Sequence, residues 1–429
     1  MFGFFPSTES KMRENASNWL QLADKILHYR SDQLTDAQLQ ELRQKTADLQ
    51  LKLKQRSDAG KLKLGIESLE GLLQHVGGTF YPKSSIVENV EFFLAAAIIV
   101  LGIRTYFVQP FKIPTNSMWP SYYGMTPQVF KDRAEEPGAL ATGIRLLAFG
   151  ARPHRLDAPA DGEIIIPMGG SQSRGEVHSQ IVDGHSWGII PTKLREYTVL
   201  VGDEQVKVRV PLDFDFDWLV SDAFFFPGES YAPDVFRAMI HRKWVARDFE
   251  LHVVDGENLP CIRTGRRVRA GDRMLSFDVL TGDQLFVDRF SYHFVRPPVG
   301  SGFVFRTGNI PQIADAYGDQ YYVKRLVGQP GDTLEIKNYR LYRNGHPITG
   351  SSAFEKNARR TESYVGYRNS GALSIGETMT VPPRAFLALG DNSANSQDGR
   401  FWGFVPEKDV IGRPLFIYYP ISPRWGPSR

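Results

Sequence analysis

Three stretches of this 429-residue chain hold side chains whose types and spacing suit a nucleophile and a base. In Gln109-Pro110-Phe111-Lys112-Ile113-Pro114-Thr115-Asn116-Ser117-Met118-Trp119-Pro120 a single serine stands among prolines that forbid helix and hold the backbone extended. Ile113 and Met118 flank it and suit a small apolar pocket. Read by itself, Ser117 is as readily an inert hydroxyl in a proline-rich linker. In Tyr321-Tyr322-Val323-Lys324-Arg325-Leu326-Val327 a β-branched, apolar strand carries a lysine ahead of the turn Gly328-Gln329-Pro330-Gly331-Asp332. Burial of that strand would desolvate Lys324, lower its pKa and leave a neutral amine able to act as a general base. Lys324 and Arg325 alternate, so either could instead point to solvent. The third stretch, Leu389-Gly390-Asp391-Asn392-Ser393-Ala394-Asn395-Ser396-Gln397-Asp398-Gly399-Arg400, combines hydroxyls, amides and a carboxylate–guanidinium pair. It suits a loop that satisfies buried polar atoms, or a plain Asx-rich turn.

The elements that must position these groups follow from pattern. Lys+Arg 51 against Asp+Glu 48 gives +3, which argues against a nucleic-acid partner. One cysteine, Cys261, removes any intrachain disulfide and every multi-thiolate metal site. The mean hydropathy of −0.29 leaves room for one membrane span but not several. No proline falls between Pro6 and Pro82, and Leu20, Ala23, Leu27, Leu39, Leu42, Leu49 and Leu53 recur at helical spacing. Residues 1–88 therefore read as a solvated helical region, two helices joined near Ser31–Leu34, with Thr35-Asp36-Ala37-Gln38 as a capping box. The apolar run Phe92–Ile103 extends through Val90–Val108 to about the length a bilayer needs, and the span is set at 89–109. Lys45, Lys52, Lys54, Arg56, Lys61 and Lys63 precede it, so the positive-inside bias places the N-terminus in the cytoplasm and the rest outside. The run begins too far into the chain for a removable signal peptide.

Residues 125–264 read as an inserted mixed β domain. Glu163–Ile166, Tyr197–Val201 and Gln205–Val210 are short strands, the latter two joined by Gly202-Asp203. Phe214, Phe216, Trp218 and Phe224-Phe225-Phe226 supply core rather than an exposed patch. Gly228-Glu229-Ser230-Tyr231-Ala232 imitates a nucleophile elbow but lacks its strand–turn–helix setting. Glu176, His178 and His185 fit no zinc spacing, so no metal or other cofactor is expected. Asn344-Gly345 marks a hairpin, and Leu415–Tyr419 reads as a last strand.

Together the three stretches resemble type I signal peptidase, the membrane-bound Ser/Lys endopeptidase family. The matching strings are Ile113–Pro120, Tyr322–Asp332 and Gly390–Arg400, with a weaker match over Gly282–Tyr292 and Pro298–Phe305. They occur in the family's order, and the resemblance covers Val90–Tyr123 and Ala270–Pro420. It implies a mainly β catalytic region of two packed antiparallel sheets, built from 110–124 and 265–429, behind one transmembrane helix. It implies Ser117 as nucleophile and Lys324 as general base, with the Thr115 hydroxyl and the Ser117 N–H as oxyanion donors. Ser396 falls on the hydroxyl that orients the lysine, and Asp398 and Arg400 on a supporting ion pair. Ile113, Met118 and Val323 fall on pockets for small −1 and −3 side chains. The implied partners are signal peptides of exported precursors and the lipid bilayer. The implied site is the cytoplasmic (inner) membrane, crossed once, with the catalytic domain outside.

The sequence also departs from that pattern. Tyr122 stands where an aliphatic residue is common, Gly300-Ser301-Gly302 replaces an R-G-D turn, and Ala394 replaces a common carboxylate. Residues 125–264 interrupt the pattern, and nothing in them names a partner. Two other readings remain: a Ser/Lys autoprotease, which the neighbouring span disfavours, and a non-catalytic membrane-tethered assembly protein with a relict dyad.

Overall fold

The computed structural model describes residues 8–82, 85–169, 176–186, 190–229 and 233–428. The chain forms two compact units, Met1–Val100 and Leu101–Arg429. The first holds three helices ahead of the apolar one: α1 (Thr8–Arg30), α2 (Asp36–Lys54) and α3 (Ala59–Val76). This corrects the expected pair. The second expected helix breaks where Arg56 adopts a positive φ of 51° and Asp58 starts a new helix by accepting the Lys61 amide. The Thr35 capping box forms, with Gln38 reaching back to the Thr35 N–H. Ala23, Ile26, Leu42, Leu49, Ile66, Leu69 and Leu73 bury the shared core of the three helices.

Helix α4 (Ser85–Tyr106) carries an 18-residue window within Ile86–Tyr106 whose mean hydropathy is 2.1 and none of which is buried. It starts earlier than the expected 89–109 and stops short of Val108. The reason is pairing: Val108 and Gln109 enter a β-ladder against Asp288 and Val287.

The main sheet of the second unit contains β1 (Val108–Lys112), β2 (Gln284–Asp288), β3 (Gly302–Arg306), β4 (Tyr321–Gly328), β5 (Ala385–Leu389), β6 (Val405–Pro406) and β7 (Val410–Tyr419). Their order is β1-β2-β7-β3-β4-β5-β6, antiparallel throughout, with Gly426–Pro427 added beside β7. Pro110 is tolerated because β1 is an edge strand. β4 is central: Phe303 faces Lys324 across one ladder and Leu389 faces Arg325 across the other. A second, four-stranded sheet of Thr333–Lys337, Arg340–Arg343, His346–Pro347 and Thr378–Thr380 packs on β4 and β5 through Val327, Leu334, Ile336, Leu341, Leu387 and Leu389. Its hairpin turns at Asn344-Gly345 with φ of 54° and 79°, the positive pair a type I′ turn requires.

The intervening segment forms a six-stranded antiparallel sheet in which Ile190–Val201 pairs with Glu204–Pro211 through the Gly202-Asp203 turn. Three helices accompany it, Ala139–Phe149, Phe216–Val220 and Pro233–Ala246. A further sheet joins Thr126–Val129 and Arg152–Asp157 to Arg273–Leu280, a strand beyond the expected boundary at 264. Phe214, Phe216 and Phe277 share one buried core, with Phe224, Phe225 and Phe226 packed against it. Ser230 of the elbow-like string lies outside the described residues.

Candidate active site

Each piece of the site is placed by ordinary local rules. After β1 the chain turns once through the short 3₁₀ segment Asn116–Met118, a tighter path than the extended one the prolines suggest. Asn116 holds that turn with both ends of its amide: Nδ2 donates to the Met125 carbonyl at 2.9 Å, and Oδ1 accepts the Gly124 N–H at 3.0 Å. The turn leaves Thr115 exposed, Ser117 half-buried and Met118 buried.

Lys324 on β4 is only 3% exposed, and its Nζ lies 2.5 Å from Ser117 Oγ. No carboxylate forms a salt bridge with it among the described residues. Burial, the largest influence, lowers its pKa from the ordinary 10.5 to about 8; Asp398 and Asp391 pull weakly upward and Arg400 downward. The arrangement presents a half-exposed hydroxyl to an amine that is partly neutral near physiological pH, which is what a Ser/Lys dyad needs.

The third stretch docks directly on the Asn116–Met118 turn. The Asn392 N–H donates to the Ser117 carbonyl at 3.1 Å, and its Nδ2 donates to the Asn116 carbonyl at 3.0 Å. Gly390 is required there: a Cβ would overlap Ser396 Oγ and the Ser117 carbonyl. Asp398 and Arg400 form a fully buried bidentate pair, both contacts 2.8 Å. Arg400 also donates to the carbonyls of Arg368 and Ser393. Ser396 follows in the same loop. Its buried Oγ has no hydrogen-bond partner among the described residues, and Lys324 directs its bond to Ser117 instead. Ile113, Met118 and Val323 gather in one apolar cluster with Leu285, Val287, Val304 and the buried ring of Tyr122. The Tyr122 hydroxyl bonds Ser428 Oγ.

Sequence reasoning missed a second buried pair. Arg325, 1% exposed, makes a bidentate contact to Asp391, 2.7 Å from Nε to Oδ1 and 2.5 Å from Nη2 to Oδ2. Its Nη1 donates to the Gly300 carbonyl, and Ser121 bridges Arg325, Asp391 and Tyr364. The signal was present: two consecutive cations inside an apolar strand, with two carboxylates in the Asp391–Arg400 string. Among the described residues, no group of three or more His, Cys, Asp or Glu side chains is placed to hold a metal.

The family model described as "Signal peptidase, peptidase S26" matches residues 271–419. A "Probable signal peptidase I-1" of Synechocystis is 34% identical over 145 residues, 34% of this chain and 66% of that one, so the match spans just under two thirds of that relative. An "Inactive signal peptidase IA" of Staphylococcus aureus strain Mu50 is 30% identical over 34% of this chain and 72% of its own length. A crystal structure of a signal peptidase I from Enterococcus faecalis V583 is 27% identical over 28% of this chain and 97% of that one, with a TM-score of 0.20, and carries no argument about the fold. With a family-model match and a relative at 30% identity covered over 72% of its length, this chain belongs to the type I signal peptidase family.

Proposed function

We propose that the chain is a membrane-anchored serine endopeptidase that removes N-terminal signal peptides from exported precursors, cutting after small residues. The observation that carries this reading is the 2.5 Å approach of a buried, partly neutral Lys324 to Ser117. Neutral Lys324 takes the Ser117 proton as Oγ attacks the scissile carbonyl. The Thr115 hydroxyl and the Ser117 N–H donate to the oxyanion. The Lys324 ammonium then protonates the leaving amine, and the same amine activates the water that hydrolyses the acyl-enzyme. The exposure of Thr115 and the half-exposure of Ser117 support access by an extended peptide. Small −1 and −3 side chains would sit against Ile113, Met118 and Val323, with Tyr122 limiting their depth.

Helix α4 is the proposed anchor, with the basic helices before it in the cytoplasm and the catalytic unit on the far side. The Staphylococcus relative has a name that calls it inactive. The dyad contact in this chain favours catalysis over a non-catalytic tether. The test is cleavage of a synthetic precursor with an Ala-x-Ala site by detergent-solubilised protein, read by mass spectrometry. Wild type should cut at that site and Ser117→Ala should not. Equal cutting by both would mean another nucleophile, and no cutting by folded wild type would favour the tether.

A further inference from the structure

The inserted segment touches both catalytic loops. Trp218, on the helix Phe216–Val220, packs edge-to-face on Trp119, two residues beyond the nucleophile, with ring centroids 5.7 Å apart. On the other side, Asn395, adjacent to Ser396, is held at both ends of its amide by insertion side chains. Arg237 Nη1 donates to Asn395 Oδ1 at 3.1 Å, and Asn395 Nδ2 donates to Asp215 Oδ2 at 3.2 Å. The two insertion residues face one another, Arg237 Nη2 lying 3.5 Å from Asp215 Oδ1. Arg237 is itself fixed by Asp217, 2.9 Å from its Nε, and Asp217 also accepts the Val177 N–H. Asp215 caps its own helix through the Trp218 N–H. These groups are largely shielded from water: side-chain exposure is 25% for Arg237, 11% for Asp215 and 8% for Asp217.

We infer that Asp215 and Arg237 are positioning residues for catalysis, a clamp from the insertion that fixes the Asn395–Asp398 loop against the Ser117–Lys324 dyad. The clamp supplies what the loop lacks: Ala394 stands where the resemblance puts a carboxylate, and Asp215 brings one to the neighbouring residue. Its reach is direct. Beyond Asn395 the loop contributes Ser396 and then Asp398, whose pair with Arg400 is sealed beside Lys324. The groups facing Lys324 are Asp398 and Arg400 from this loop, Asp391 from the preceding turn, and the Tyr322 ring from its own strand at 5.8 Å. Removing the clamp admits water to the loop and relieves the desolvation that keeps the lysine partly neutral. The rising limb of the pH–rate profile then moves to higher pH.

This inference rests on the dyad reading above, and its test separates the two. Full-length wild type, Asn395→Ala, Arg237→Ala and Arg237→Lys are compared on the Ala-x-Ala peptide across pH. Lys324 is followed independently by NMR titration of labelled lysine, its signal assigned by loss in Lys324→Met. Asn395→Ala cuts the clamp from the catalytic side and leaves the Arg237–Asp217 pair intact, so it guards against misfolding of the insertion. The expected result is a fall in kcat of about ten-fold with KM within about two-fold. The pH–rate limb and the Lys324 titration should move upward together, and Arg237→Lys should keep more rate than Arg237→Ala. An unmoved titration in Asn395→Ala, or a rate that falls equally at every pH, overturns the clamp. If wild type fails to cut the peptide, the substrate reading falls, while the Lys324 titration still decides the clamp.

Discussion

Lys324 and Arg325 are neighbours on one central strand, both sealed from water, and the fold treats them in opposite ways. Arg325 receives a bidentate carboxylate from Asp391, the Gly300 carbonyl and a bridging serine. Lys324 receives a serine hydroxyl and no carboxylate at ion-pair distance among the described residues. A buried charge with its counter-charge beside it is costly to disturb, because removing one partner strands the other without compensation. A buried amine without such a partner is costly to keep charged, and it lowers that cost by shedding its proton. The contrast puts a paired cation and a desolvated amine in consecutive positions of one strand, which is what the proposed base needs. Arg325 and Arg400 each hold a bidentate carboxylate, so the desolvation that no carboxylate offsets falls on Lys324.

The largest break of this contrast is removal of either member of the dyad. Ser117→Ala and Lys324→Met should each lower kcat/KM by at least about a thousand-fold, measured on the precursor peptide. The fold should survive. Because burial holds the Lys324 pKa near 8 against 10.5 in the unfolded chain, Lys324→Met should be more stable than wild type by up to roughly 3 kcal/mol at neutral pH, read by chemical denaturation. A variant that lost activity by unfolding would instead give a lowered denaturation midpoint.

Breaking the other neighbour should reverse that pattern. Asp391→Ala leaves the Arg325 guanidinium buried without its carboxylate, which should cost about 3–5 kcal/mol of stability. If the midpoint for Asp391→Ala matched wild type, the assignment of Arg325 as the structural cation would fail.

A pH series sharpens the comparison without mutation. With the neutral amine as the proposed base, kcat/KM should level off above about pH 8 and fall about ten-fold per unit below it. Between about pH 8 and 10.5 the unfolded chain holds a Lys324 proton that the folded chain has released, so stability should rise with pH across that window. Lys324→Met should lose that rise. A rate flat from pH 9 to pH 6, or an identical stability slope in the variant, would remove the depressed lysine from the mechanism.

How far the sequence reached follows the same physics. The Asn344-Gly345 hairpin, the Thr35 capping box and the Gly202-Asp203 turn are fixed by residues adjacent in the chain, and local spacing found them. The burial of Lys324 was legible only in part: apolar, β-branched neighbours pointed to it, but alternation with Arg325 left either side chain free to face solvent, and the fold buries both. The partner of Arg325 was not legible, because Asp391 reaches it from another strand's end and only three-dimensional pairing brings the two together. The extra helix in the first unit was missed because the helical leucine series ends at Leu53, just ahead of the break where Arg56 takes a positive φ. The helix Ala139–Phe149 and the clamp on Asn395 were invisible for a different reason. No motif marks them, and their roles come only from what lies against them.

The smallest expected effect concerns Ser396, the place where the structure and the resemblance part. A buried hydroxyl without a partner costs about 1–3 kcal/mol of unrecovered desolvation. Ser396→Ala should therefore leave stability unchanged or raise it by up to about 1 kcal/mol, while kcat falls by about ten-fold because, in the proposed role, the hydroxyl takes up the Lys324 ammonium once Ser117 has given up its bond in the acylation step. That pairing of outcomes separates a working group from a structural one: a hydroxyl kept for the fold would lose stability and leave the rate intact. Thermal denaturation and peptide cleavage, run on the same preparation of Ser396→Ala, read both sides of that argument at once.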